Sequence, residues 1–190
     1  MRKYITGNEW VRFFNAITGT RNEIRDKAMF NMMYIHGLRV SELINMTVSD
    51  LDMSEKSIFI KRLKNGLSTS HPLQQETLLW LKKWFQVRRY YEKNRISETL
   101  FLSTSGKPLS RQWIYRLCIR FGQRAGLYIH VHPHMLRHAC GYALANQGLD
   151  TRLIQDYLGH RNIHHTVLYT ASNSNRFSRV WNDHHPHKGL

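Results

Sequence analysis

A chain of 190 residues can build one compact domain with a real core, but not two large ones. A hydrophobic content of 42% with five Trp excludes a disordered tail. Lys and Arg number 28 against 13 Asp and Glu, and the resulting net charge of +15 points to a polyanionic partner, nucleic acid before an anionic membrane surface. Thr6-Gly-Asn-Glu9 reads as a capping box, followed at helical spacing by Trp10, Phe13, Phe14 and Ile17. A second box, Thr20-Arg-Asn-Glu23, opens a longer apolar helix through Met29, Met32, Met33 and Ile35, ended by Gly37. Val40 to Met46 reads as a short helix. Ser57 to Leu63 alternates and is rich in β-branched and aromatic residues, Asn65-Gly66 supplies a turn, and Leu67 to Leu73 returns as its partner strand.

Leu78, Leu81 and Phe85 mark a further helix, and Leu100 to Ser103 a short strand closed by Ser105-Gly106. Ser110 caps a helix that buries Ile114, Leu117, Cys118 and Phe121, with Arg116 and Arg120 roughly opposite that stripe. Two helices follow near 134–147 and 151–158, then a short one ending around Tyr169. The fold class is therefore mainly α with one small antiparallel sheet. Between Thr99 and Leu149 no acidic residue occurs, although Lys107, Arg111, Arg116, Arg120, Arg124 and Arg137 fall there. Cys118 and Cys140 offer no disulfide framework, and the N-terminus has no apolar stretch of signal-peptide length, so the expected compartment is the cytoplasm.

Four segments carry candidate chemistry: His36-Gly-Leu-Arg-Val-Ser-Glu-Leu43, the turn around Lys64, His134-Met-Leu-Arg-His138, and Leu158-Gly-His160 with Tyr169 following. His134 and Arg137 are three apart and share a helix face. Together the segments supply two guanidinium forks, an ammonium, several imidazoles and a phenol. A phosphodiester under attack gathers negative charge on its non-bridging oxygens, which paired Arg forks bind bidentately. Preorganised donors of this kind are worth roughly 3–4 kcal/mol each, by analogy with oxyanion holes. A phenol of ordinary pKa about 10 needs a cationic surround or a base to attack at neutral pH, and His134 offers the base. Lys64, at the hairpin tip, offers an acid for the departing oxygen. With no Asp/Glu cluster to hold Mg²⁺, the chemistry expected is cationic, without metal or other cofactor.

Each residue also has a plainer reading. Arg39 can simply pair with Glu42, Tyr169 can be a packing residue, and the Met29/Met32/Met33 stripe belongs in the core. His134 and His138 at i, i+4 can bind a metal, but no Glu lies between them and no third ligand is suitably spaced.

The boxes Gly-Leu-Arg39-Val-Ser-Glu42-Leu, His134-Met-Leu-Arg137-His138 and Leu-Gly-His160, with Tyr169 nine residues on, resemble in order and spacing those of the tyrosine-recombinase (phage-integrase) family. The longer strings around them are most similar to the small fimbrial phase-variation invertases of enterobacteria. What the resemblance implies is a recombinase catalytic domain that inverts a promoter segment through a 3′-phosphotyrosyl intermediate. Arg39 and Arg137 would bind the phosphate, Lys64 would be the general acid (with Lys61 close by), His134 the acid/base, His160 a phosphate hydrogen-bonder and Tyr169 the nucleophile. Glu42 and His138 would orient the arginines, and Arg111, Arg116, Arg120 and Arg161 would contact DNA. Implied partners are double-stranded DNA with inverted repeats, further copies of the chain in a tetrameric synapse, and architectural proteins, with no membrane. A type IB-like topoisomerase shares the chemistry, and a non-catalytic helix-turn-helix regulator would share only the charge.

Larger members grip the far side of the duplex with an N-terminal helical domain. Residues 1–190 read instead as a single catalytic domain without a separate N-terminal domain of that kind. Residues 171–190 read as an assembly segment, because Phe177, Val180 and Trp181 recur at helical spacing and need a groove, on a neighbour or on the same subunit.

Overall fold

The computed structural model of the protein describes residues 2–62, 66–93 and 96–171. Helix α1 (Gly7–Asn15) starts at the expected capping box: the Thr6 hydroxyl accepts from the Glu9 N–H at 3.3 Å, and the Glu9 carboxylate accepts from the Thr6 N–H at 2.8 Å. The second expected box does not form. Helix α2 (Glu23–Ile35) begins after Asn22, which makes no side-chain cap, and the Glu23 carboxylate is taken by the Gly19 N–H and by Lys27 instead.

The end of α2 matters most for the site. Gly37 adopts φ +58°, and the Leu38 N–H returns to the Met33 carbonyl, closing the helix with a left-handed residue. A Cβ on Gly37 would stand 2.5 Å from Leu158 Cδ2, so the turn also needs the room that glycine leaves. The chain then runs directly into α3 (Val40–Ile44), with Arg39 at its N-cap.

The sheet has three antiparallel strands in the order β1 (Leu51–Asp52), β2 (Ser57–Ile60) and β3 (Thr69–Pro72). The β2–β3 hairpin was expected, though its ladder is shorter than the alternation suggested, running from Ser57 opposite Pro72 to Ile60 opposite Thr69. Strand β1 was not foreseen. Leu100–Ser103, expected as a strand, makes one isolated bridge, Leu102 to Pro108, with another, Thr47 to Thr99, just before it. Its Leu100 and Ser103 N–H groups reach the Met46 and Lys107 carbonyls, while side chains take two of its own carbonyls. The Leu100 carbonyl accepts from Trp84 Nε1 at 2.9 Å and Arg88 Nε at 3.2 Å, and the Leu102 carbonyl from Arg25 at 3.1 Å.

Helices α4 (Gln75–Arg88), α5 (Arg111–Arg124), α6 (Pro133–Asn146), α7 (Thr151–Leu158) and α8 (His164–Ala171) complete the fold. Ser110 caps α5 as expected, and Asp150 caps α7 by accepting from the Leu153 N–H at 3.0 Å. The main core joins α1, α2, α4 and α5 around residues such as Phe13, Phe30, Met29, Met32, Trp84 and Phe121, all fully buried. A smaller cluster of Cys140, Ala145, Ile154, Leu158 and Tyr169 binds α6, α7 and α8 together. Among the described residues no helix is long and apolar enough to cross a membrane.

Candidate active site

Five of the six expected catalytic residues converge. Arg39, His134, Arg137, His160 and Tyr169 all line one cleft of about 230 Å³, with His138, His165 and Leu168 completing its wall. Lys64 lies outside the described residues. Its neighbour Lys61 is engaged elsewhere, its ammonium 2.8 Å from the Asp50 carboxylate.

Glu42 is the electrostatic hub. Its carboxylate pairs with Arg39 at 2.7 Å and with Arg62 at 2.8 Å, accepts the Arg39 backbone N–H at 2.8 Å, and has Arg137 at 3.9 Å. Burial alone would favour the protonated acid, but Arg62, the Arg39 N–H and Arg137 together hold this carboxyl below the usual range. Glu42 thus ties the Arg39 and Arg62 guanidiniums and lies beside Arg137. The plainer reading of Arg39 as its partner is true, and Arg39 still faces the cleft.

Arg137 is buried, and it donates to the Gly37 carbonyl and, at 2.7 Å, to the Leu158 carbonyl. These carbonyls belong to the ends of α2 and α7, where backbone acceptors lack helical partners. A guanidinium has five N–H donors, so donors remain for the cleft. Burial, with Arg39 and Arg62 adding repulsion, lowers its pKa to about 9, and it stays charged at neutrality.

His160 follows Gly159, which ends α7 in the left-handed conformation at φ +65°. Its Nδ1 lies 2.9 Å from the Thr166 hydroxyl, and Gln155 donates to its carbonyl at 2.9 Å. Burial, then Arg137 and Arg39, lower its pKa to about 3, so the ring is neutral.

Tyr169 is only 1% exposed. Its ring stands edge-on to Tyr142 with centroids 5.1 Å apart, and against Gly141, where an added Cβ would lie 2.6 Å from Tyr169 Cε2. Burial pushes the phenol pKa upward against the pull of Arg137. The hydroxyl lies 2.9 Å from His138 Nδ1. His138 was expected to orient the arginines; the hydrogen bond it makes here is to the phenol. From α6 its ring faces α8, and the missing side chain at Gly141, one turn on, lets the phenol come that close. His134 stands exposed at the start of α6, its ring edge-on to His138 with centroids 4.8 Å apart.

Of the expected DNA contacts, Arg111 lines a second cleft of about 510 Å³ that shares Arg39 and His134 with the first. Arg116, Arg120 and Arg161 are exposed but line neither cleft. Among the described residues no three His, Cys, Asp or Glu side chains are grouped to hold a metal ion.

Three contributors escaped the sequence reading. Arg62 has a side chain 0% exposed, pairs with Glu42 and donates to the carbonyls of Tyr157 and His36. In a Lys/Arg-rich hairpin nothing in its local sequence marked it for burial. Gly141 carried no local signal. His165, exposed, stands in the cleft wall, 6.0 Å between its ring centroid and that of His160.

The phage integrase family model matches residues 3–176. The type 1 fimbriae regulatory protein FimB of Escherichia coli K12 is 48% identical over 180 residues, covering 95% of this chain and 90% of FimB. FimE of the same strain is 47% identical over 180 residues, covering 95% of this chain and 91% of FimE. Among solved structures, XerA recombinase superposes with a TM-score of 0.80 at 27% identity, covering 98% of this chain and 65% of that one. The chain belongs to the phage integrase family and is a tyrosine recombinase.

Proposed function

We propose that the protein inverts a DNA segment flanked by inverted repeats, and that the segment is a fimbrial promoter switch. The reading is carried by the meeting of Arg39, His134, Arg137, His160 and Tyr169, drawn from four separate helices or their ends, on one cleft. The 47–48% identity to two fimbrial regulatory proteins supports the choice of switch.

The scissile phosphate binds between Arg39 and Arg137, whose forks take its non-bridging oxygens. His160, lining the same cleft, hydrogen-bonds the same group. Glu42 holds the guanidiniums apart and in place, so positive charge is arranged before the reaction begins. Tyr169 attacks phosphorus, the 3′-phosphotyrosyl bond forms, and the 5′-oxygen leaves with a proton from Lys64. Because the phosphodiester energy is kept in that bond, rejoining needs no ATP. The arginine and histidine side chains carry the charge stabilisation, and no metal or other cofactor takes part.

Arg111, Arg116, Arg120 and Arg161 contact the DNA backbone. Inversion joins two sites, so the working form is a tetrameric synapse helped by architectural proteins at the nucleoid. Residues 172–190, with the Phe177, Val180 and Trp181 stripe, lie outside the described residues; their proposed role is as an assembly segment whose stripe needs a groove on a neighbour or on the same subunit. A plasmid bearing the resident inverted repeats, read by orientation-specific amplification, tests the reading. Both orientations should appear with the native protein and only the input orientation with Tyr169→Phe. Covalent attachment without inversion would indicate topoisomerase-like relaxation, and neither would indicate a DNA-binding regulator.

A further inference from the structure

The phenol must lose its proton for Tyr169 to attack, and the position of the histidines bears on where that proton goes. Resting on the recombinase reading above, we propose that His138 is the catalytic residue that takes the Tyr169 proton, with His134 the next ring on its way to solvent.

The geometry begins at the hydroxyl. His138 Nδ1 lies 2.9 Å from Tyr169 Oη, within hydrogen-bond range of the reacting atom itself. His134 stands one ring further out, edge-on to His138 with centroids 4.8 Å apart, and is exposed at the cleft. For Nδ1 to accept from the phenol, the neutral His138 carries its hydrogen on Nε2.

The surroundings keep His138 in that accepting form. Besides Tyr169 on α8, the charged or titratable groups acting on it are His134 and Arg137 on α6, His132 at the helix N-cap, and Lys3 from the N-terminal segment. None is a carboxylate. Burial first, then this basic surround, lowers its pKa to about 4, so the ring is unprotonated at neutral pH. Alone, such an imidazole is a weak base. The substrate changes this. A phosphodiester in the cleft brings negative charge beside His138 and offsets the repulsion from its neighbours, and the extra charge of the phosphorane does so further. Base strength thus rises along the reaction, where it lowers the barrier.

The step balances. The Tyr169 Oη–H bond breaks and an Nδ1–H bond forms on His138. The Oη electron pair makes the bond to phosphorus as the bond from phosphorus to the 5′-oxygen breaks, and that oxygen is protonated by the acid assigned to Lys64. On rejoining, the 5′-hydroxyl attacks, its proton returns to the acid, and the His138 imidazolium gives its proton back to Oη.

The test uses the full chain and a nicked suicide duplex, following covalent adduct on denaturing gels across a pH series. His138→Asn keeps an acceptor oxygen near the place of Nδ1 but cannot hold the proton. It should bind DNA normally while adduct formation slows by about 10²–10⁴-fold, the usual worth of a general base. Its rate should also climb with hydroxide concentration where the native profile is flat. His134→Asn removes only the outer ring of the relay, so it should slow adduct formation less than His138→Asn does and without hydroxide dependence. In His138→Ala, added imidazole should restore part of the rate. A His138→Asn variant with native rate and profile, a hydroxide-dependent profile in His134→Asn instead, or no imidazole rescue in a DNA-binding His138→Ala would each overturn the assignment. Absence of adduct from the native protein would defeat the recombinase reading itself, a separate outcome.

Discussion

Replacing Gly141 by alanine puts a methyl group where the Tyr169 ring now lies. The added Cβ would stand 2.6, 2.7 and 2.8 Å from ring carbons Cε2, Cζ and Cδ2. Carbon atoms rest at about 3.5–4.0 Å, so the ring or helix α6 must retreat by roughly 1 Å. The clash falls on the hydroxyl-bearing end of the ring, so the 2.9 Å contact with His138 is displaced as well. Overpacking of this kind costs typically about 1–3 kcal/mol, partly offset by the roughly 1 kcal/mol that alanine gains over glycine within a helix. The net cost of at most about 2 kcal/mol should leave the variant folded, with Tm lowered by up to about 8 °C. Catalysis should suffer more, because a misplacement of about 1 Å at a reacting group can cost 10²-fold. Single-turnover cleavage of a nicked suicide duplex measures that loss, with DNA binding as the control for folding. Native or faster cleavage by Gly141→Ala would show that Tyr169 does not attack from this seat.

Removing the buried guanidinium by Arg62→Met leaves Glu42 short of a partner and the carbonyls of Tyr157 and His36 without their donor. Denaturant unfolding should show a loss of about 3–5 kcal/mol, nearer the lower figure because Arg39 still pairs with Glu42, and native stability would refute the hub. His36 and His71 are buried with Nδ1 atoms 3.3 Å apart, and burial lowers their pKa values to about 3 and about 4. Unfolded, they take up protons below about pH 6.5, so their contribution is complete above that pH and is lost as pH falls toward 4 and 3. Tm should drop steadily across that interval, and a flat Tm would contradict the burial. Lys64→Ala should cleave ordinary DNA about 10²–10⁴-fold more slowly yet cut a substrate with a 5′-bridging sulfur almost normally. Equal defects on both substrates would move the acid elsewhere.

Much of the fold was legible because its signals are local. Helix α7 fell at residues 151–158 as expected, since an Asp150 cap and a Gly159 stop mark its ends without reference to anything distant. Leu100–Ser103 misled because its Leu100 and Leu102 carbonyls are met by Trp84, Arg88 and Arg25, which no strand pattern encodes. The Thr20–Glu23 box failed because Glu23 had better donors in Gly19 and Lys27. The site divides the same way. Arg39, His134, Arg137, His160 and Tyr169 were readable from the order and spacing of their boxes. Arg62 was not, because burial of a charge depends on carbonyls contributed by two helix ends far away in sequence. The partner of His138 was hidden for a related reason, since it depends on how closely α8 approaches α6, and Gly141 sets that approach.

The central claim is that Tyr169 becomes joined to DNA, and mapping the covalent linkage tests it most directly. Trapped complex from a nicked suicide duplex, digested with protease and sequenced by mass spectrometry, should carry a nucleotide 3′-phosphate on the peptide containing Tyr169. Tyr169→Phe should bind the duplex and give no adduct. Attachment at another residue, or adduct persisting in Tyr169→Phe, would contradict the account.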